Sequence, residues 1–134
     1  MLENRPHTRQ RLTDETVAWL TTVSAQGRPS TAPVWFLLDG DSIVVFSRDP
    51  SVRVANVMAN PWVTLALNSD PRGADIVVVN GSATVDRSIP PVIDHRTYLD
   101  KYETVMGEYG WTAGWFTEQY PTAIRIDITS VRGR

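Results

Sequence analysis

The sequence contains no cysteine and only two histidines, His7 and His95. The lack of cysteine excludes disulfides, thiolate nucleophiles and metal sites that depend on thiolate ligands. Two imidazoles are too few for a histidine-rich site, so no metal centre is expected. The chain also lacks an apolar run long enough to span a bilayer, and its first residues lack the apolar middle of a signal peptide. These absences predict a soluble, cytoplasmic protein that does not bind a membrane.

Basic residues are not in excess, because thirteen Lys and Arg stand against fifteen Asp and Glu. Nucleic-acid-binding proteins usually carry a basic surplus, so this partner class is disfavoured. Lys101 is the only lysine. The other basic residues are arginines, which suit bidentate recognition of phosphate or carboxylate, although genomic base composition gives the same bias. A length of 134 residues, 42% of them apolar, predicts a single domain over residues 1–134.

Extended segments dominate the chain. Apolar and β-branched residues cluster or alternate in six runs bounded by turn residues, at 19–24, 31–38, 42–47, 62–68, 75–87 and 123–131. The turns joining many of these runs are too short for parallel crossovers, which favours antiparallel pairing. The sequence therefore predicts a mainly β fold with short helices, and six bent antiparallel strands suit a small closed or split barrel better than a sandwich.

Three local signals refine the strands. Asp39-Gly40-Asp41 separates two β-rich runs and predicts a hairpin. Pro33 cannot donate a hydrogen bond to a ladder, so its strand should lie at an edge or be irregular there. Gly81, inside the longest strand candidate, indicates a bulge or a sharp bend.

The helices are predicted from caps and periodicity. Thr13, followed by two acidic residues, marks the start of a first helix that runs into the strand at 19–24. Ser51 is an N-cap candidate for a helix over 51–59, which Asn60-Pro61 ends. The region 90–106 is predicted to be helical, and 111–120 to add helix or irregular turns.

No motif for enzyme chemistry is present. The sequence has no P-loop lysine motif, no dinucleotide fingerprint, no nucleophile elbow and no His-Glu-x-x-His. His7 lies in a terminus expected to be mobile, and His95 lies in a polar helix where a solvated role is favoured over a catalytic one. If the protein is an enzyme, its reactive chemistry belongs to a bound cofactor.

The most informative stretch runs from Ser47 to Asn56. A strand ends, hydroxyls and two guanidiniums cluster, and a helix begins. A helix N-terminus offers unpaired N–H groups and a positive dipole end, which suit a phosphate. The stretch is therefore either a phosphate site or a capped surface helix with solvated arginines, and its residues alone leave both interpretations open.

The order of several short motifs resembles a known family. The chain resembles the pyridoxamine-phosphate-oxidase-like split-barrel superfamily, and within it the small deazaflavin-dependent group of actinobacteria. The motifs that carry the resemblance are Leu20-Thr-Thr-Val-Ser, Gly27-Arg-Pro, Ala32-Pro-Val-Trp-Phe, Asp39-Gly, Ser47, Ser51-Val-Arg-Val-Ala-Asn, Asn60-Pro and Gly81-Ser-Ala-Thr-Val. The resemblance implies a six-stranded antiparallel split β-barrel.

The resemblance also implies a set of cofactor-binding residues. Ser47, Ser51 and Arg53 would hold the cofactor phosphate, with Arg53 at a position that is often lysine in the family. The strand Pro33-Val34-Trp35-Phe36 would run along the cofactor ring. Asn56 and Asn60, which lie on the same polar face of the predicted helix as Arg53, would reach the tail of the cofactor. Arg48 and Arg28 would meet its acidic groups, and Trp62 or Asn68 would contact the ring or a partner's cofactor.

The family is typically a homodimer with two sites at the subunit interface. Aromatic residues near the C-terminus, Trp111, Trp115, Phe116 and Tyr120, give an independent motive for association, because aromatics are enriched in interfaces. The alternative is that they close one end of the barrel.

The function implied by the resemblance is an oxidoreductase that uses coenzyme F420, a deazaflavin, to transfer hydride to a small unsaturated or conjugated organic acceptor. Solvent, Tyr98 or Tyr102 would supply the proton. One alternative is an FMN-binding oxidase or flavin reductase of the same fold, whose phosphate would use the same pocket. Another is a non-catalytic protein that binds a cofactor or a tetrapyrrole.

Overall fold

A computed structural model describes all 134 residues. Seven antiparallel strands form one curled sheet in the order β2-β1-β5-β6-β7-β4-β3. The strands are β1 Ala18–Val23, β2 Pro29–Val34, β3 Leu37–Asp39, β4 Ser42–Ser47, β5 Trp62–Ala66, β6 Val78–Val85 and β7 Thr122–Arg132. The helices are α1 Pro6–Asp14, α2 Val52–Ala59, α3 Arg96–Glu108 and α4 Ala113–Gln119, with a short 3-10 helix at Val92–Asp94.

The mainly β class with short helices is confirmed, but the predicted count of six strands is wrong by one. The run predicted at 31–38 divides into β2 and β3, and Trp35 and Phe36 lie between them. Pro33 lies in β2, an edge strand that pairs only with β1, as its missing N–H predicted. The sheet is open between β2 and β3, as a split barrel requires.

The predicted turns and bulge are present. Gly40, with a positive φ of 63°, lies in the two-residue turn that joins β3 to β4. The register of β6 against β7 shifts between Asn80 and Gly81. A Cβ at Gly81 would lie 2.5 Å from the Ile126 side chain and 2.6 Å from the Asp127 carbonyl oxygen. Glycine therefore permits the close approach of β6 to β7 at this bulge.

The first helix differs from its prediction. It spans Pro6–Asp14 and ends where the sequence predicted it to begin, one residue after Thr13. Pro6 starts it because the ring fixes a helical φ and the missing N–H has no partner in a first turn. Leu2, Thr8 and Leu12 are fully buried, so the N-terminal segment packs on the barrel.

Two apolar clusters fill the molecule. The larger lies inside the sheet and includes Leu20, Phe36, Leu65 and Ile124. The smaller lies between β4 and the C-terminal helices and includes Phe46, Tyr98, Tyr102 and Phe116. No helix is long and apolar enough to cross a membrane.

Candidate functional site

Three predicted site residues meet where β4 gives way to α2, and we call Ser47, Ser51 and Arg53 the β4–α2 corner. The Ser51 side chain accepts a hydrogen bond from the Val54 N–H at 3.1 Å and so caps α2, as predicted. The Ser47 and Ser51 hydroxyls are 3.3 Å apart. An Arg53 guanidinium N–H donates to the Ser47 hydroxyl at 3.3 Å. The corner therefore clusters two hydroxyls and one guanidinium at a helix N-terminus.

Arg53 is the electrostatic centre of this corner. Its side chain is half-buried, and burial lowers the pKa of its guanidinium. No carboxylate of the chain forms an ion pair with it. A cation that is withdrawn from water without a partner is costly, and an external anion lowers that cost. The corner is therefore suited to bind an anion.

Two cavities meet at this corner, because Ser51 and Arg53 line both. The large cavity has a volume of about 560 Å³, and the small cavity about 190 Å³. The large cavity is lined by Val17, Pro33, Val34, Trp35, Phe46, Arg48, Tyr98, Tyr109, Trp111, Phe116 and Tyr120 besides the shared residues. The small cavity is lined by Leu20, Thr22, Ser30, Thr31, Ala32 and Val52 besides them.

Aromatic rings form the wall of the large cavity. The Trp35 ring lies nearly parallel to Tyr102 at 4.8 Å and to Phe116 at 5.4 Å between ring centroids. Trp111 packs against Trp35 at 6.0 Å and against Phe116 at 6.4 Å. Such a wall of flat faces complements a planar ligand, because aromatic groups gain from offset stacking beyond the area they bury.

Arg48 is a second guanidinium on this wall. It lies 4.7 Å over the Tyr120 ring and donates to the Gln119 side-chain oxygen at 2.9 Å. These contacts tie the end of β4 to α4. No Asp or Glu lines the large cavity, so Arg48 and Arg53 are the charged residues of its lining.

The two tyrosines considered as proton donors occupy different settings. The Tyr102 hydroxyl is buried, lies 2.8 Å from the Thr16 carbonyl oxygen and accepts from the Phe36 N–H at 2.8 Å. It does not line the large cavity. Tyr98 does line it, and its hydroxyl has no hydrogen-bond partner in the chain. Burial raises the pKa of both phenols, so each stays protonated at neutral pH.

The large cavity gathers six of the predicted cofactor-binding residues on one wall: Pro33, Val34, Trp35, Arg48, Ser51 and Arg53. Ser47 lies behind them, fully buried, and reaches the corner through its hydroxyl. These residues come from β2 and the residue after it, from the end of β4 and the residue after it, and from the start of α2, all within residues 33–53.

Six other predicted site residues lie outside both cavities, Arg28 in the β1–β2 turn among them. Phe36 is fully buried in the core of the sheet. Asn56 is buried and donates to the Thr22 hydroxyl at 3.0 Å, which fastens α2 to β1. Arg53 and Asn56 were predicted on one helix face and have different roles. Arg53 lines both cavities, whereas Asn56 makes a packing contact.

The remaining three have local contacts. The Asn60 side chain accepts from the Trp62 N–H at 3.1 Å just after α2. The Asn68 side chain accepts from the Trp19 indole at 3.0 Å. Trp62 is 61% exposed and lines a different groove on the outer face of β1, β5 and β6.

Two groups of cavity residues were not predicted. Tyr109 lines the large cavity, and Thr22, Ser30 and Thr31 give the small one its hydroxyls. Thr22 and Ser30 are register partners on β1 and β2. The hydroxyl residues next to the predicted ring-binding strand are the sequence signal that could have indicated this cavity. The predicted C-terminal aromatic cluster does line the cavity, except for Trp115.

The histidines take structural roles. The His95 ring accepts from the Tyr98 N–H at 3.2 Å and caps α3. His7 lies in α1, not in a mobile terminus, and pairs with Asp75 at 3.0 Å. No group of His, Asp or Glu side chains has the arrangement of a metal site.

The fold has many relatives of known structure. An F420 reductase is 20% identical with a TM-score of 0.69, over 94% of this chain and 96% of that chain. An FAD-binding protein from Mesorhizobium loti is 23% identical with a TM-score of 0.65, over 94% and 90%. The heme storage protein HutZ from Vibrio cholerae is 15% identical with a TM-score of 0.68, over 96% and 92%. At these identities the likeness establishes the fold.

Sequence comparison assigns the family. No curated protein matches the chain in sequence. The family model described as pyridoxamine 5'-phosphate oxidase, by contrast, matches residues 5–133, nearly the full length. The split-barrel sheet, its cavities and this match agree, and the chain belongs to the pyridoxamine 5'-phosphate oxidase family.

Proposed function

We propose that this protein is an oxidoreductase that binds coenzyme F420 and reduces a small conjugated organic acceptor. The observation that carries the proposal is the β4–α2 corner, where half-buried Arg53 has no acidic partner and lies between two cavities. A phosphate at the corner would accept hydrogen bonds from Arg53, from the Ser51 hydroxyl and from the first N–H groups of α2. Ser47, whose hydroxyl donates to the Arg48 carbonyl oxygen at 3.0 Å, would hold Arg53 in position by accepting from its guanidinium.

The two cavities divide the rest of the cofactor between them. The large cavity offers flat aromatic and apolar surface to a tricyclic ring, and Pro33 to Trp35 run along it. The small cavity shares Ser51 and Arg53 with the large one and carries the hydroxyls of Thr22, Ser30 and Thr31. A cofactor that extends past its phosphate could occupy both cavities, whereas FMN would end at the phosphate. This continuation favours F420 over FMN.

The chain's own residues bind, orient and shield. When bound, the deazaflavin ring supplies the hydride, so no side chain has to act as a nucleophile. Arg53 and the serines would hold the phosphate end, Trp35 and Phe116 would limit the tilt of the ring, and the aromatic wall would keep water out of the cavity. Tyr98 lines the large cavity and its hydroxyl has no hydrogen-bond partner in the chain, so it replaces Tyr102 as the side-chain candidate for a proton donor.

The other assigned positions have supporting roles in the proposal. Arg28 lies in the β1–β2 turn, next to the strand that carries Ser30 and Thr31, and would meet the acidic tail as it leaves the small cavity. Asn56, Asn60 and Asn68 make contacts within the chain and would act by holding α2 and the sheet, not by touching the cofactor.

A homodimer is part of the proposal. The outer face of β1 and β5 exposes Trp19 and Trp62. Thr21 pairs with Thr64 across these strands, and the groove at this face is lined by Trp62 but not by Trp19. Isolated apolar side chains are common on surfaces, but two exposed indoles on one face of the sheet favour an interface. Trp62 would then contact the partner subunit near its cofactor.

A tetrapyrrole-binding role is the second candidate. The large, flat and positively charged cavity favours it, as does the structural likeness to a heme storage protein. A heme iron would find no histidine or methionine in the cavity lining, only tyrosine hydroxyls. The propionates of a heme could pair with Arg53 as a phosphate would, so the lack of histidine and methionine ligands is what favours the redox cofactor over a heme.

The test is a titration followed by turnover. Purified protein is titrated with F420, with FMN and with heme by fluorescence, and reduced F420 is then mixed with a panel of conjugated enones and quinones. The proposal predicts tighter binding of F420 than of FMN and acceptor-dependent reoxidation of F420. Preferential binding of FMN would support the flavin alternative, and tight F420 binding without reoxidation would support a non-catalytic role.

A further inference from the structure

The large cavity has two arginines in its lining, and the proposed phosphate contact uses only one of them. Arg48 and Arg53 both line it, and none of its other lining residues is acidic. Arg53 is used by the β4–α2 corner. Arg48 keeps its charge without an ion pair to any carboxylate of the chain. A second anionic group in the same cavity would balance it.

Arg48 is held in place although it is exposed. Its guanidinium lies over the Tyr120 ring and donates to Gln119 Oε1, and one further N–H reaches the Tyr120 hydroxyl only at 3.5 Å. A guanidinium has more N–H donors than these contacts use. The Arg48 side chain is therefore already restricted in the free protein, and it loses less conformational freedom when a ligand binds. The remaining donors can form the two parallel hydrogen bonds that a carboxylate accepts.

The neighbouring surface specifies the rest of the ligand. Tyr120 stacks on Phe116 at 4.5 Å with the ring planes 27° apart, and Phe116 stacks on Trp35 at 5.4 Å and 8°, so a row of stacked rings leads to the proposed cofactor strand. A planar conjugated group lying along this row would have its edge near Arg48. A volume of about 560 Å³ lies in the range of small-molecule sites.

We propose that the large cavity selects planar conjugated ligands that carry a carboxylate, and that Arg48 is the residue that recognises the carboxylate. The inference deepens the proposed function, because such a ligand would be the hydride acceptor. Its binding to the protein alone does not depend on that function.

The test is a comparison of matched ligands by quenching of protein tryptophan fluorescence, since Trp35 and Trp111 lie in the cavity. The ligands are 2-naphthoate and 2-naphthamide, which share a ring and differ in charge. A linear tetrapyrrole dicarboxylate and its dimethyl ester form a second pair. The proteins are the wild type, Arg48→Gln, Arg48→Lys and Arg53→Gln. Arg72→Gln, in an exposed turn outside the cavities, controls for net charge.

We expect the wild type to bind the carboxylate of at least one pair about ten-fold or more tightly than its neutral analogue, the scale of a hydrogen-bonded charged group. Arg48→Gln should remove that preference and leave neutral-ligand binding unchanged, Arg48→Lys should restore part of it, and Arg72→Gln should behave as the wild type. The pair that shows the effect tells whether the ligand is a small aromatic acid or a tetrapyrrole.

Three results would overturn the inference: equal affinity for acid and neutral analogue in both pairs, no binding of any ligand, or a preference lost in Arg53→Gln and kept in Arg48→Gln. The last result would mean that the carboxylate occupies the phosphate corner. F420 is titrated into the same proteins. If F420 fails to bind while the Arg48-dependent preference remains, the proposed function fails and this inference stands.

Discussion

Lys101 is the only lysine of the chain, and its ammonium group lies 3.0 Å from the Phe36 carbonyl oxygen and 4.1 Å from the Phe36 ring centroid. Burial lowers the pKa of Lys101 to about 8, whereas an unfolded chain keeps this proton to about pH 10.4. Between these values the unfolded state binds more protons, so the free energy of unfolding should rise with pH. The rise is at most about 1 kcal/mol per pH unit, since solvent screens a partly exposed amine.

Urea unfolding of the wild type and of Lys101→Met between about pH 8 and pH 10 measures this rise. The variant should lose the slope. The raised pKa values of Tyr98 and Tyr102 act in the opposite direction, but only as pH passes the ordinary phenol range. A slope that is the same in both proteins would contradict the assignment.

Tyr102 binds the backbone of Phe36, the residue that follows Trp35 of the large cavity. Its hydroxyl accepts from the Phe36 N–H and also contacts the Phe36 and Thr16 carbonyl oxygens. Tyr102→Phe leaves a buried N–H without a partner and should cost about 1–3 kcal/mol of stability. Tyr109→Phe, at an exposed position, should change stability by less than about 0.5 kcal/mol. Equal effects in chemical denaturation would show that the buried hydroxyl does not hold the β2–β3 connection.

At the scale of elements, the bulge between β6 and β7 depends on Gly81. Its missing Cβ would meet both the Ile126 side chain and the Asp127 backbone, so Gly81→Ala should destabilise the protein by about 1–3 kcal/mol. Gly107→Ala is the matched change in α3, where a Cβ meets nothing within 4 Å and helix propensity predicts a gain of about 0.5–1 kcal/mol. Thermal unfolding of both variants checks this, and a stabilised Gly81→Ala would contradict it.

The elements also show what the sequence could and could not predict. Local chemistry sufficed for the hairpin at Gly40, the Ser51 cap and the final strand, because each signal lies within a few residues of its consequence. The predicted start of α1 was wrong because the two acidic residues after Thr13 were given more weight than Pro6. The contacts that hold this helix on the barrel come from residues distant in sequence.

The candidate site divides in the same way. The β4–α2 corner is a continuous stretch and was predicted from capping and charge together with the family resemblance. The large cavity joins Trp35 to Phe116 across most of the chain, so no sequence pattern placed these rings together. Asn56 was assigned to a polar helix face, but its partner Thr22 lies on another strand. Polar periodicity alone does not distinguish a ligand contact from a packing contact.

At the scale of the whole molecule, the exposed indoles of Trp19 and Trp62 predict that the protein is a homodimer. Trp62→Glu should shift it toward the monomer in sedimentation velocity at micromolar concentration, because a charge at the interface would be desolvated without a partner. Ile93→Glu changes a similarly exposed apolar residue outside this face and should leave the dimer intact. A monomeric wild type, or a dimer insensitive to Trp62→Glu, would contradict this interface.

The central claim is that Arg53 binds the phosphate of the cofactor, and the dissociation constant for F420 in the wild type, Arg53→Gln and the charge control Arg72→Gln tests it most directly. Loss of a hydrogen-bonded ion contact of about 1.5–3 kcal/mol should weaken binding by about ten-fold to a hundred-fold in Arg53→Gln alone. The fold should be as stable or more stable, because a half-buried unpaired charge has been removed. A dissociation constant unchanged from the wild type would place the phosphate elsewhere and contradict the account.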